Sequence, residues 1–343
     1  MLDKKKYFYM LMFVGFIAIA VIVFLLNVSI GSVKIPIKEV INILLKGQID
    51  GDTFSSIIWK IRLPRAIAVI FGGASIAVAG LLLQIFFRNP IVGPFVLGIS
   101  SGAILLVSIV TLGGSVLGFQ IDTMNSWTTF TAAFLGSMFV MFIVLLVASR
   151  VKSNVTLLVV GLMMGYICSA CTNILITFAE DAKVKGFVIW EMGSFSGFTW
   201  ESIKILMMIS IPLLLISTLM HKPLNALLLG ERYATSLGVN ILTVRIFLIL
   251  VSSLLCAVVT GFSGPIAFIG LAVPHMSRIL MKTSDNKILF PATMLLGAVL
   301  TGLCDFCARM VFSPTEISLG SVTSLIGAPL IVYMMLRRNK ANV

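Results

Sequence analysis

The chain has 343 residues, 59% of them apolar and only 11% charged, with a mean hydropathy of +1.12. Soluble domains run near 45–50% apolar and about 25% charged, so lipid is the solvent for most of this sequence. The formal net charge of +12 does not mark a nucleic-acid binder, because the basic residues are scattered between apolar runs and form no stripe with interleaved aromatics.

A spanning helix needs about 20 apolar residues, which leaves room for roughly ten spans in a single transmembrane domain over residues 1–343. The first apolar run, Tyr7–Asn27, follows Lys4-Lys5-Lys6. It is too long for a signal peptide and is followed by Val28-Ser29, a poor cleavage site, so it reads as a retained helix. Further runs predict helices over Pro64–Phe87, Ile91–Leu112, Trp127–Ser149, Val155–Ala179 and Ser202–Met220, then Leu242–Gly261, Pro265–Met281, Ile288–Val311 and Leu319–Leu336. Gly98-Ile99-Ser100-Ser101-Gly102 interrupts the third run, and the eighth is short and opens at Gly264-Pro265. Small residues at helical spacing predict close helix packing: Gly72, Gly73, Ala77 and Gly80, then Gly98/Gly102 and Gly161/Gly165.

Arginine and lysine set the orientation. With the N-terminus inside, one side receives Lys4, Lys5, Lys6, Arg88, Arg150, Lys152, Lys222, Arg232, Arg278, Lys282, Lys287, Arg337, Arg338 and Lys340. The other side receives Asp50, Asp52, Asp122, Glu180, Asp181 and Glu191, although Lys34, Lys38, Lys46, Lys60, Arg62 and Arg65 crowd its first loop. An even helix number then leaves both termini cytoplasmic. The longest cytoplasmic connection, about 221–241, mixes leucine and alanine with charge; it predicts two short helices broken near Gly230 and ended at Gly238.

The sequence contains no Gly-Lys dipeptide, so it lacks a phosphate-cradling P-loop and is not its own nucleotidase of that type. The clearest intramembrane acid is Asp305, with Arg309 one turn away as ion-pair partner, which is thin support for a proton relay. Cys168/Cys171 and Cys304/Cys307 have Cys-x-x-Cys spacing, but inside apolar helices cysteine behaves as a small hydrophobe. No metal site, catalytic set or structural disulfide is expected, and His221 and His275 are assigned packing or helix-end roles.

Several ordered segments resemble the FecCD/BtuC-type permeases of iron-siderophore, haem and vitamin B12 ABC importers. They are Arg62-Leu63-Pro64-Arg65, Arg88-Asn89-Pro90, Leu97 to Ala103, Trp190-Glu191-Met192-Gly193-Ser194, Leu224-Asn225 with Gly230-Glu231 and Leu237-Gly238, Gly270 to His275, Pro314-Thr315-Glu316 and Gly327-Ala328-Pro329. Ile91-Val92-Gly93-Pro94 departs from the Leu-Ala and small or acidic residue usual before that proline.

The resemblance implies an all-α ABC type II importer permease fold in a bacterial or archaeal cytoplasmic membrane. It also implies a second permease subunit, identical or a paralogue, two ATPase subunits and an extracytoplasmic substrate-binding protein. ATP and Mg would sit on the ATPase, with no cofactor on this chain. The implied cargo is an iron(III)-siderophore complex, with haem or cobalamin as alternatives; an ion-gradient carrier is the alternative of a different class. By the same resemblance Arg62, Arg65 and Arg309 would receive acidic residues of the binding protein, and Leu224, Asn225, Gly230, Glu231, Ala234 and Gly238 would carry ATPase coupling.

Overall fold

A computed structural model describes residues 2–31, 33, 35–48, 51–90, 92–114, 126–151 and 153–341. Lys34, Asp50, Ile91, Asp122 and Lys152, which enter the sequence expectations above, lie outside the described residues. Every regular element among the described residues is helical. Among the described residues seven helices are long and apolar enough to cross a membrane, and three apolar ones are shorter, Ile99–Leu112, Ile269–Met281 and Leu319–Tyr333.

In chain order the first four helices are α1 (Leu2–Ser29), α2 (Ile37–Lys46), α3 (Thr53–Ile57) and α4 (Leu63–Phe87), with a π turn over Ile58–Arg62 running into α4. The third apolar run is split: Gly98, at φ 71°, separates a 3-10 turn (Pro94–Leu97) from α5 (Ile99–Leu112). Then come α6 (Ser126–Arg150), α7 (Asn154–Phe178), α8 (Asp181–Glu191), α9 (Trp200–Leu219), α10 (His221–Leu228) and α11 (Glu231–Ser236). The last four are α12 (Ile241–Ser263), α13 (Ile269–Met281), α14 (Asn286–Met310) and α15 (Leu319–Ala341). Helix α13 begins at Ile269, not at Pro265, because Gly264 and Phe268 both hold positive φ and the chain between them is not helical.

Helix α4 is the axis of the bundle. Almost all of its residues are buried, and it packs against α14, α12, α13 and α9. The predicted small residues make these approaches possible, since a Cβ on Gly73 would lie 2.6 Å from the Gly297 carbonyl oxygen of α14, and one on Gly80 would overlap the Gly270 carbonyl of α13. Gly98 meets Gly161 and Gly165 in the same manner, and Gly102 meets Gly136. Helices α1 and α7 are the least enclosed spans.

The short elements α2, α3 and α8 are additional to the apolar runs. Helix α2 buries Val40 and Ile43 and leaves Ile37, Ile41 and Leu45 exposed along its other side. Asp52 caps α3 by accepting from Phe54 N at 3.1 Å and Ser55 N at 3.2 Å. At the end of α8, the Trp190–Ser194 segment clasps two neighbours. The Leu319 and Gly320 amides of α15 donate to the Gly193 and Met192 carbonyls at 3.1 Å, and Ser194 N donates to Ser263 O at 2.7 Å. Burial raises the Glu191 carboxyl above its usual range.

Candidate docking and coupling sites

Arg62, Arg65 and Arg309 meet at one end of the bundle, and all three side chains are buried. The last carbonyls of α1 have no partner within the helix, and two of the arginines supply one. Arg62 donates to Val28 O at 3.0 Å and Ser29 O at 2.6 Å, and also to Val33 O. Arg309 donates to Asn27 O and Ile30 O at 3.4 Å and to the Asn27 side-chain oxygen. Positive charge at a helix C-terminus also complements the macrodipole.

Arg65 binds acids instead. Its Nε and Nη2 hold the Asp305 carboxylate at 3.0–3.2 Å, and its Nη1 donates to both Glu316 oxygens at 3.0 Å. The predicted Asp305–Arg309 ion pair is present, with Arg309 Nε 3.2 Å from Asp305 Oδ2. Asp305 therefore lies between two guanidinium groups and is itself fully enclosed. Within this cluster three arginines face two carboxylates. Glu316, with 45% of its side chain exposed, is the one of these two acids that reaches solvent. Glu316 and Asn27 were quoted in the sequence without a role here; their partners lie hundreds of residues away along the chain, beyond the reach of local pattern.

At the opposite end α10 and α11 form the two predicted short helices. Gly230 (φ 120°) breaks them, and Gly238 (φ 83°) ends the second, with Gly238 N donating to Thr235 O and Val239 N to Ala234 O. Leu224 and Ala234 are fully buried against the body of the bundle.

Asn225 and Glu231 also face inward. The Asn225 amide donates to Asp285 Oδ1 at 2.7 Å, while its oxygen accepts from Asn286 N at 2.9 Å. Glu231 accepts from Arg245 of α12 at 3.1 Å and lies 3.9 Å from Arg88, the residue that closes α4 in a left-handed conformation. These groups line an open cavity of about 610 Å³ with Leu229 and Tyr233. The side chains that point away from the bundle are others: Leu228, Leu229, Tyr233 and Leu237 are exposed. Their signal in the sequence was present, since leucines in a charged loop are out of place in water unless something covers them.

All five cysteines are free thiols. Cys168 is buried and Cys171 exposed; Cys304 is buried with Cys307 half-buried.

The pattern of the FecCD transport family matches residues 19–337. The vitamin B12 import system permease protein BtuC of Klebsiella pneumoniae is 35% identical over 324 residues, covering 94% of this chain and 92% of that protein. A candidate ABC transporter permease of Methanocaldococcus jannaschii, MJ0087, is 34% identical over 316 residues, covering 91% and 90%. Among solved structures, a candidate metal-chelate type ABC transporter in an inward-facing conformation superposes with a TM-score of 0.83 at 30% identity, covering 95% of this chain and 98% of that one. PsaBC from Streptococcus pneumoniae, in complex with Fab, shares the fold at a TM-score of 0.54 and 16% identity, covering 87% of this chain and 95% of that one.

Proposed function

Because the chain belongs to the FecCD transport family and is a membrane-spanning permease of the ABC importer type, we propose that it moves an iron(III)-siderophore complex across the cytoplasmic membrane. It does so as one half of a permease dimer, driven by two separate ATPase subunits and loaded by an extracytoplasmic binding protein. The observation that carries this reading is the family match along almost the whole chain. The metal-chelate description of the structural neighbour supports the chelate. Cobalamin is the second reading, favoured by the 35% identity to a vitamin B12 permease, and haem is the third. A proton-coupled carrier is disfavoured because Asp305, the clearest intramembrane acid, is already paired with Arg65 and Arg309.

In this reading both termini lie in the cytoplasm, as the distribution of Lys and Arg suggests, which makes the arginine cluster outer and α10–α11 inner. The arginine cluster is then the receiving surface for acidic residues of the binding protein, since guanidinium matches carboxylate bidentately. Arg65 is the member best placed for this: its Nη1 is held by the half-exposed Glu316, which an incoming carboxylate can replace. Arg62 and Arg309 keep α1 in position beside it. The ATPase is received by Leu228, Leu229, Tyr233 and Leu237.

The test is uptake into proteoliposomes holding this permease, its ATPase and its binding protein, offered ferric siderophores, haem and cobalamin in turn. ATP-dependent uptake of a ferric siderophore is expected; uptake confined to cobalamin selects the second reading. Uptake driven by an ion gradient without ATP overturns the proposal.

A further inference from the structure

Helices α6 and α12 pack along each other. Where α6 ends at Arg150 and α12 begins at Ile241, their ends meet α11 around an open cavity of about 500 Å³. Arg150, Arg232 and Arg245 line it, and among its lining residues Glu231 is the one carboxylate. That carboxylate is already held by Arg245 at 3.1 Å, with Arg88 3.9 Å away. Among the described residues no acid pairs with Arg150 or Arg232, and both are exposed. The Ser149 and Thr235 hydroxyls in the wall donate at 2.8 Å to carbonyls of their own helices, Leu146 O and Glu231 O. The two unpaired guanidinium groups are therefore the strong donors left for a ligand.

The cavity also has an apolar side. Leu242 lines it, and Ile246 lies one turn further along the same face of α12, while Leu146 stands one turn before Arg150 on α6. All three are exposed. A row of bare leucine and isoleucine on two spanning helices faces acyl chains, so the cleft opens toward lipid as well as toward water. An acidic protein partner arriving from the water would pair with the arginines and leave this apolar row uncovered. A phospholipid satisfies both, because its phosphate matches the planar guanidinium fork and its chains match the row below.

We propose that this cleft seats an anionic phospholipid, with Arg150 and Arg232 on the headgroup phosphate and the acyl chains along the groove between α6 and α12. Basic pockets between the ends of spanning helices recognise headgroups through this combination of charge and shape. On the proposed orientation the lipid belongs to the cytoplasmic leaflet. The inference is independent of the cargo and requires only that the chain sits in a bilayer.

The test titrates the detergent-purified permease with phosphatidylglycerol, phosphatidylcholine or inorganic phosphate and follows thermal unfolding, because a ligand that binds only the folded state raises the midpoint as it saturates its site. Phosphatidylglycerol is expected to act at concentrations about tenfold below those phosphatidylcholine needs, and inorganic phosphate to do nothing at the same concentrations. The double variant Arg150→Gln/Arg232→Gln should bind phosphatidylglycerol about fivefold more weakly for each arginine removed. Lys222→Gln/Lys287→Gln, which removes two exposed cations outside the cavity at the same end, should leave binding unchanged. Equal action of the two lipids overturns the proposal, as does an undiminished response in the arginine variant. Inorganic phosphate matching phosphatidylglycerol also overturns it, by making the cleft a free-anion site. Should the arginine variant not fold, native mass spectrometry of the wild type offered both lipids in equal amounts decides: selective retention of phosphatidylglycerol supports the site and equal retention overturns it.

Discussion

At the end that holds the arginine cluster, Arg62, Arg65, Arg309 and Asp305 are buried and turned toward one another, with Glu316 half-exposed at the rim. At the end that holds α10–α11, Asn225 and Glu231 bond to groups of the bundle, and Leu229, Tyr233 and Leu237 are exposed beside the charged Lys222 and Arg232. On the proposed orientation the first is the outer end and the second the inner one, and the two offer a partner different chemistries. The inner end offers apolar area, which supports a standing contact. The outer end offers charge that is already satisfied, which suits a partner that arrives, exchanges one ion pair and leaves.

The contrast predicts unequal penalties. Asp305→Ala strips the enclosed carboxylate from two guanidinium groups, and removing one partner of a buried pair costs about 3–5 kcal/mol. Thermal unfolding in detergent should show a correspondingly large loss; a loss no greater than that of a surface mutation would mean the outer cluster is not sealed. Leu229→Asp at the inner end should leave stability nearly unchanged and weaken ATPase association about tenfold or more, the loss typical of a central interface anchor. Titration of the purified permease with its ATPase measures this, and an unaltered affinity would move the contact elsewhere.

The smallest effect is expected for Glu316→Gln. A pair with one exposed member contributes about 0–1 kcal/mol, so folding should scarcely change. Binding-protein affinity should rise at low salt, because Arg65 is released from its competitor, and the gain should fade as salt screens it. Equal affinity of wild type and variant at low ionic strength would remove Arg65 from the docking surface.

Most of the helical framework was legible because apolar length is a local property. The runs Tyr7–Asn27, Pro64–Phe87 and Ile288–Val311 each lie inside an observed helix or overrun it by a residue. The breaks at Gly230 and Gly238 were legible for the same reason, since positive φ favours glycine. Helices α2 and α8 escaped notice because they are short and interspersed with charge, leaving no long apolar run. Arg62, Arg65 and Arg309 were expected to share one end of the bundle, and they do, but their burial was not foreseen. It depends on the exposed carbonyls of α1 and on Asp305, which is 240 positions from Arg65. Leu224 and Ala234, expected from the resemblance to carry ATPase coupling, likewise lie under the surface; a resemblance in sequence does not say which way a side chain points.

The π turn over Ile58–Arg62 amounts to an α-helix with one residue too many. One surplus residue shifts the angular phase of what precedes it by about 100° relative to α4. Within the turn the Trp59 carbonyl accepts from the Trp200 indole at 2.8 Å, with the two rings 6.0 Å apart. Downstream, Leu63 and Arg65 enter α4, which is buried on nearly every side. The surplus residue is a dislocation in the helical lattice, and it lets one continuous rod answer to two neighbours that no uninterrupted α-helix could face together.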